Sequence, residues 1–309
     1  MNEPENTLDL IIIGAGPAGL AASIYASRYK VDHLVIGKEP GGQAVEAHNI
    51  ENWPGTASIS GFELTQKMRE HAEKLGAKIV MDSVSNVAKE GEIFSITAHT
   101  DQYKAKNIIL ALGMEYRKLS IPGEEEFKGK GVSYCPTCDA AFFGEKVVAV
   151  AGGGNSAASA AQLLSEYASK VYIIYRGEKL KVDPAYLENF SKNEKIEIIY
   201  NTNITEIKGD VAVGKIILDK EYGGKKELEV QGLFVEIGSE PGVELVKQLD
   251  IEADEQGFIR VNSDQSTNAP GVFAAGDATT GSNKMRQVLT ASAEGAIAAA
   301  SVYKRLQVS

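Results

Sequence analysis

From Leu10 to Ile13 every position is apolar; the run breaks at "GAGPAG" and resumes as "LAASIYASRY", where small residues recur at helical spacing. This pattern predicts a buried strand, a glycine turn and a helix that packs closely on one face. "VDHLVIG" predicts the next strand, and "KNIILALG", from Lys106 to Gly113, a further buried strand ending at a glycine. At "KVVAVAGGGNSAASAAQLLSEYASKVYIIYR" the order of strand, glycine turn, small-faced helix and strand begins again. Beyond Asn201 the apolar positions alternate in short runs around turns such as "EYGGKKE", the signature of antiparallel strands. "GVFAAGDATTGSNKMRQVLTASAEGAIAAASVYKRL" closes the chain with a strand, a loop and a long alanine-rich helix, and a shorter apolar helix is predicted over 61–75.

A supersecondary unit that recurs within one chain predicts two domains of similar architecture. The expected fold class is α/β, with two Rossmann-like three-layer nucleotide-binding domains, the second inserted into the first. Two segments rich in glycine, proline and charge, "YRKLSIPGEEEFKGKG" over 116–131 and "GSEPGVEL" over 238–245, are the candidate linkers.

Each glycine turn follows a strand and opens a helix, the context in which such a turn binds a dinucleotide. In the first, Gly14 permits the tight turn, Gly16 lets backbone approach a pyrophosphate, and Gly19 lets helix and strand pack; Pro17 and Ala18 stand between them. The anion would sit on the free N–H groups of the helix N-terminus. An acidic ribose partner is expected about 20 residues on, and Glu39 in "IGKEPGGQ" is the nearest candidate. The second turn offers Gly153, Gly154, Asn155 and Ser156, with Ala157 and Ala158 in place of a third glycine. Its following strand ends at Tyr175-Arg176, with Lys179 and Lys181 beyond; an arginine there suits the 2′-phosphate of NADPH, whereas an acidic residue would suit NADH.

Composition narrows the function. Of 309 residues, 32 are basic and 42 acidic, and the net charge of -10 opposes binding to nucleic acid or anionic lipid. No apolar run reaches the ~18 residues a membrane helix needs. "MNEPENTLDL" lacks the basic and apolar regions of a secretory signal, which predicts a cytoplasmic protein.

The two cysteines, Cys135 and Cys138, form a CxxC pair. Structural zinc needs four ligands, and His33, His48, His71 and His99 are scattered without metal-like spacing. A bridge between residues so close in sequence constrains little of the unfolded chain, and a reducing compartment would not keep it closed. The favoured reading is a working dithiol, in which one thiolate attacks a partner disulfide and the other resolves the mixed intermediate. Asp139 adds a carboxyl that is either a proton carrier or simple surface polarity.

The ordered set "GAGPAG", "GGQ" with "ENWPG", "YCPTCD", "GGGNSA", and "AAGD" with "RQV" resembles the low-molecular-weight thioredoxin reductases, over nearly the whole chain. The resemblance implies a two-domain flavoprotein, commonly a homodimer, in which FAD passes electrons to the dithiol and the dithiol reduces thioredoxin. It implies an FAD domain of residues 1–116 and 243–309 around an NAD(P)H domain of residues 117–242. On the flavin side it marks Gly14, Gly16, Gly19, Glu39, Gly42, Gln43, Asn52, Gly113, Gly276, Asp277, Arg286, Gln287 and Val288. It assigns attack on thioredoxin to Cys135, the flavin-facing position to Cys138 and the acid role to Asp139, with Arg176 and Lys181 on the 2′-phosphate. The resemblance further implies that the inserted domain rotates between two orientations, with hinges at the candidate linkers.

Three departures bear on the electron donor. The family's histidine-arginine-arginine signature here reads Tyr175-Arg176-Gly177, an acidic pair after the second turn is replaced by Ser159, Ala160 and Ala161, and the loop from Gly276 to Arg286 is long. The leading expectation is NADPH-dependent reduction of thioredoxin. Alternatives are a flavin thioredoxin reductase fed by ferredoxin or another donor, a small-molecule dithiol oxidase, and a non-catalytic flavin redox sensor that would reduce once and stop.

Overall fold

The computed structural model describes residues 7–47, 50–242 and 244–308; His48, the acidic residues 1–6 and Val243, where the second part of the FAD domain was expected to begin, lie outside the described residues. The chain forms two compact units, one running to Glu115 and resuming at Glu240, the other spanning Tyr116–Ser239.

The first unit opens with strand β1 (Thr7–Ile13), helix α1 (Pro17–Arg28) and strand β2 (His33–Gly37). Leu10, Ile11 and Ile12 are fully buried, which is why that stretch is apolar at every position and does not alternate. Helix α1 starts on Pro17, whose fixed φ suits the first helical position. Helix α2 (Gly61–Lys74) is capped by Ser60 Oγ, which accepts from Glu63 N at 3.1 Å. It is amphipathic, burying Leu64, Met68 and Ala72. Strands β3 (Lys78–Met81), β4 (Val84–Glu90), β5 (Ile93–Ala98), β6 (Gln102–Leu110) and β7 (Met114–Tyr116) follow. The sheet runs β3-β2-β1-β6-β5-β4, parallel from β3 to β6 and antiparallel through β5 and β4. Strand β6 begins at Gln102, ahead of the predicted Lys106, because its first half is drawn into an antiparallel ladder with β5.

The second unit contains β8 (Val132–Ser133), α3 (Pro136–Asp139), β9 (Val147–Ala151), α4 (Asn155–Tyr167), β10 (Lys170–Ile174), α5 (Pro184–Ser191) and β11 (Ile196–Ile199). Strands β12 (Ile204–Gly209), β13 (Val213–Tyr222), β14 (Lys225–Glu229) and β15 (Gly232–Val235) complete it. A parallel sheet β11-β10-β9-β15-β8 lies between helices and the antiparallel sheet β12-β13-β14. Ala157, Ala161 and Leu164 of α4 fill one interface, and Ala149, Val213 and Ile216 the other. The predicted "EYGGKKE" turn joins β13 to β14 through Gly223 and Gly224, at φ of 60° and 79°. Residues from 116 onward, rich in turn formers, belong to this unit and contribute buried Glu124 and Phe127.

The chain returns through β16 (Ser239–Pro241), which pairs with β7, then α6 (Glu244–Gln248), β17 (Val272–Ala274) and α7 (Val288–Val308). Strand β17 pairs in parallel with the second half of β6, so β6 carries a different partner at each end. Helix α7 packs on α1 so closely that a Cβ at Gly295 would lie 2.0 Å from Ala18 O. No described helix is long and apolar enough to cross a membrane.

Candidate active site

Cys135 and Cys138 are joined as a disulfide, with Cα atoms 5.3 Å apart. The closure follows from local sequence: Pro136 sets the first helical φ, and the single turn of α3 brings the second sulfur back over the first. Cys135 is the N-cap residue, and Cys138 N donates to Cys135 Sγ at 3.1 Å. Cys135 N in turn donates to Ser133 Oγ at 3.0 Å. Cys138 is the more exposed sulfur and Cys135 is half-buried, so exposure and electrostatics point to different nucleophiles. The thiolate is the reactive form, and the N–H aimed at Cys135 Sγ favours charge on that atom. Asp139 is half-buried on the same turn, and its carboxylate accepts no hydrogen bond among the described residues.

In the first unit the glycine turn is built as a cradle. Gly14 has φ of 117°, and a Cβ there would lie 2.0 Å from Ala111 O; a Cβ at Gly19 would lie 1.8 Å from Gly14 O. Gly16 caps α1 without a side chain, leaving the first N–H groups of α1 free of side-chain acceptors. Gly42, at φ of 52°, faces it: a Cβ would come within 3.3 Å of Gly16 Cα. Gln43 continues this turn, and Glu39 stands exposed at its start, its carbonyl accepting from Gly42 N at 3.2 Å. Gly276, at φ of 87°, sits against Ala18, where an added Cβ would lie 2.9 Å from the alanine methyl. Asn52 Nδ2 donates to Gln287 Oε1 at 2.8 Å, joining segments far apart in sequence. Gly113 follows β6 at φ of 63° with open space where a Cβ would stand. Arg286 and Gln287 are exposed, and Val288 begins α7. Burial pushes the Asp277 carboxyl up, Arg286 opposes that shift, and the carboxylate accepts no hydrogen bond among the described residues.

In the second unit Gly152 has φ of 152° and its carbon abuts Glu236 O, where a Cβ would lie at 2.2 Å. The Tyr175 ring lies against Gly153, where a Cβ would meet it at 2.2 Å. Gly154 caps α4 without a side chain, and Asn155 and Ser156 occupy its exposed first turn. Lys181 N donates to Gly153 O at 2.7 Å, which fixes the Lys181 segment alongside the turn. Asn155 Nδ2 donates to Asp183 Oδ2 at 3.2 Å, and Asp183 N donates to Asn155 Oδ1 at 2.9 Å. Arg176 stands exposed at the end of β10. A helix N-terminus, a lysine and an arginine are thus gathered at one end of one parallel sheet, where a phosphorylated ligand is expected.

Residues 8–295 match the pyridine nucleotide-disulphide oxidoreductase family. The thioredoxin reductase of Listeria monocytogenes is 39% identical over 99% of this chain and 96% of its own length. The chain belongs to this family, among the thioredoxin reductases. The thioredoxin reductase of Lactococcus lactis superposes with a TM-score of 0.84 at 37% identity, covering 98% of this chain and 100% of that one. A ferredoxin-flavin thioredoxin reductase from Clostridium acetobutylicum matches at 36% identity with a TM-score of 0.55, covering 98% of this chain and 99% of that one.

Sequence reading missed Glu294. This carboxylate is 4% exposed on α7, and its Oε2 accepts from Gly276 N at 2.8 Å and Thr279 Oγ1 at 2.9 Å. It therefore fixes the turn that carries Asp277, and its charge adds to the upward push on that carboxyl. The available signal was a lone glutamate among alanines on the buried stripe of "TASAEGAIAAA". The long loop after Gly276 is also anchored: Ser282, Asn283 and Lys284 turn through φ of 46°, 53° and 57°, and Lys284 Nζ reaches Asp254 at 2.5 Å and the Phe258 ring at 4.5 Å.

Proposed function

We propose that this chain is an NADPH-dependent thioredoxin-disulfide reductase with one FAD per subunit. The observation that carries the reading is the Cys135–Cys138 disulfide with the Cys138 N–H aimed at Cys135 Sγ. FAD, when bound, relays an electron pair between a nicotinamide and a disulfide. The first unit fits it. Gly16 and Gly42 face each other across a gap that a methyl would narrow, the N-terminus of α1 suits a pyrophosphate, and Asp277 offers a half-buried carboxylate with capacity for a hydroxyl donor. Gly14, Gly19, Glu39, Gln43, Asn52, Gly113, Gly276, Arg286, Gln287 and Val288 complete the proposed site, which we assign to an FAD domain of residues 1–116 and 243–309.

Gly153, Gly154, Asn155, Ser156, Arg176 and Lys181 are the proposed NADPH contacts in the domain of residues 117–242. Reduction of thioredoxin then proceeds at the dithiol. The Cys135 thiolate attacks the thioredoxin disulfide and forms a mixed disulfide, expelling one thioredoxin thiolate. The Cys138 thiolate next attacks Cys135 Sγ, which releases the second thioredoxin thiol and restores the Cys135–Cys138 bond. We assign to Asp139 the supply or uptake of a proton as the charge on sulfur changes. Phe142 is 72% exposed four residues beyond Cys138 and offers an apolar contact for the partner protein. We further propose a homodimer that works in the cytoplasm, where reducing conditions keep the dithiol turning over.

The test uses Cys135→Ser and Cys138→Ser. Both are expected to retain reduction of bound flavin by NADPH while thioredoxin turnover falls to background; normal turnover in either variant would overturn the dithiol route. One specific observation supports a second donor reading: the uncharged Tyr175 ring packs against Gly153 at the second glycine turn, and ferredoxin would be the replacement if NADPH fails.

A further inference from the structure

Resting on the dithiol chemistry above, we infer that Tyr134 and Glu124 are positioning residues that hold Cys135 within reach of Cys138 when the disulfide is open. Glu124 is 2% exposed, yet its carboxylate is fully engaged. Its Oε1 accepts from Leu119 N and from Tyr134 Oη, each at 2.8 Å, and its Oε2 accepts from Ser120 N at 2.7 Å. A buried carboxylate satisfied by three donors is a fixed point, because losing any donor leaves charge uncompensated. Tyr134, the residue immediately before Cys135, is tied to that point by its hydroxyl. Its ring also stacks on Tyr116 at 5.9 Å and lies under Lys128 Nζ at 5.7 Å.

The remaining holds on Cys135 are local ones. Cys135 N donates to Ser133 Oγ, and Cys135 accepts from the backbone of Cys138 and Asp139. Once the S–S bond is reduced, no direct bond holds the two sulfurs together, and only the short backbone between Cys135 and Cys138 links them covalently. The side-chain tether of Tyr134 then limits how far Cys135 departs from the oxidised geometry, and a restrained pair has a higher effective concentration of one thiol for the other. Two consequences follow for the same sulfurs. The disulfide is harder to reduce than a free CxxC, and Cys138 attacks the Cys135 mixed disulfide faster, so less of it accumulates.

The decisive variant is Tyr134→Phe, which keeps the ring but deletes the bond to Glu124; Tyr134→Ala removes both, and Glu124→Gln changes the anchor itself. The primary readout is redox titration of the purified holoenzyme against glutathione, which requires no thioredoxin. Tyr134→Phe is expected to lower the equilibrium constant for disulfide formation by about fivefold, ~20 mV for a two-electron couple, with Tyr134→Ala lower still. In rapid-quench experiments with thioredoxin the mixed disulfide should accumulate more in Tyr134→Phe than in wild type, while flavin reduction by NADPH keeps its rate. A wild-type constant in Tyr134→Phe with a normal circular dichroism spectrum would overturn the inference. Failure of wild type to reduce thioredoxin would overturn the proposed function instead, leaving the glutathione result to judge the tether. If Glu124→Gln does not fold, the tyrosine variants still decide.

Discussion

In the proposed function, Arg176 is the residue on which the choice of nicotinamide turns. Its guanidinium can pair bidentately with a 2′-phosphate, whereas a lysine supplies only a point charge. Arg176→Ala should raise KM for NADPH by about tenfold, the loss of one charge-assisted contact, and leave KM for NADH within about twofold of wild type. Equal effects on both nucleotides in steady-state assays would remove the case for phosphate recognition. His33 supplies a different residue-level test. It is 8% exposed, Nδ1 donates to Val31 O at 2.9 Å, and Nε2 lies 2.9 Å from Ser23 Oγ. Burial holds its pKa below the usual value of 6.5, so the fold takes up a proton less readily than the unfolded chain. Its stabilising contribution is therefore complete above the unfolded pKa and is lost as pH falls through the folded one. Urea unfolding of wild type and His33→Gln should differ by a constant amount above pH ~7 and converge as pH falls below ~6.5; a pH-independent difference would contradict this.

At the scale of elements, close helix packing is the feature most open to a single methyl. Gly295→Ala would place a Cβ 2.0 Å from Ala18 O. Overpacking of this kind costs about 1–3 kcal/mol, and because α1 also carries the proposed pyrophosphate turn, the variant should melt earlier and retain less flavin on purification. Unchanged melting and full flavin content would show that α1 and α7 can separate at no cost. The same elements explain what sequence pattern conveys. The two strand-turn-helix repeats were legible because burial makes Leu10–Ile13 of β1 and all of β9 apolar, and close packing demands glycine and alanine in α1 and alanine in α4. The meander of β4 and β5 was not read, because Val84–Glu90 carries "VSNVAKE", in which polar residues mask a half-buried strand. Glu294 and Tyr134 were also hidden as site residues. Each acts through a contact that exists only once distant segments meet, Glu294 with the turn at Gly276 and Tyr134 with Glu124.

At the scale of the molecule, the account is an electron path that begins at a nicotinamide, passes through flavin and ends on a partner disulfide. Each unit carries one glycine turn, and the dithiol lies in the inserted one, so with the sites proposed above neither unit alone would hold the whole path. The central measurement is anaerobic stopped flow on the holoenzyme. The protein is mixed first with NADPH, then with excess oxidised thioredoxin, while the flavin absorption band is followed. The account predicts rapid bleaching by NADPH, slower or weaker bleaching by NADH, and recovery of the oxidised band when thioredoxin is added. A flavin that dithionite reduces but NADPH does not, or one that NADPH reduces and thioredoxin fails to reoxidise, would contradict it.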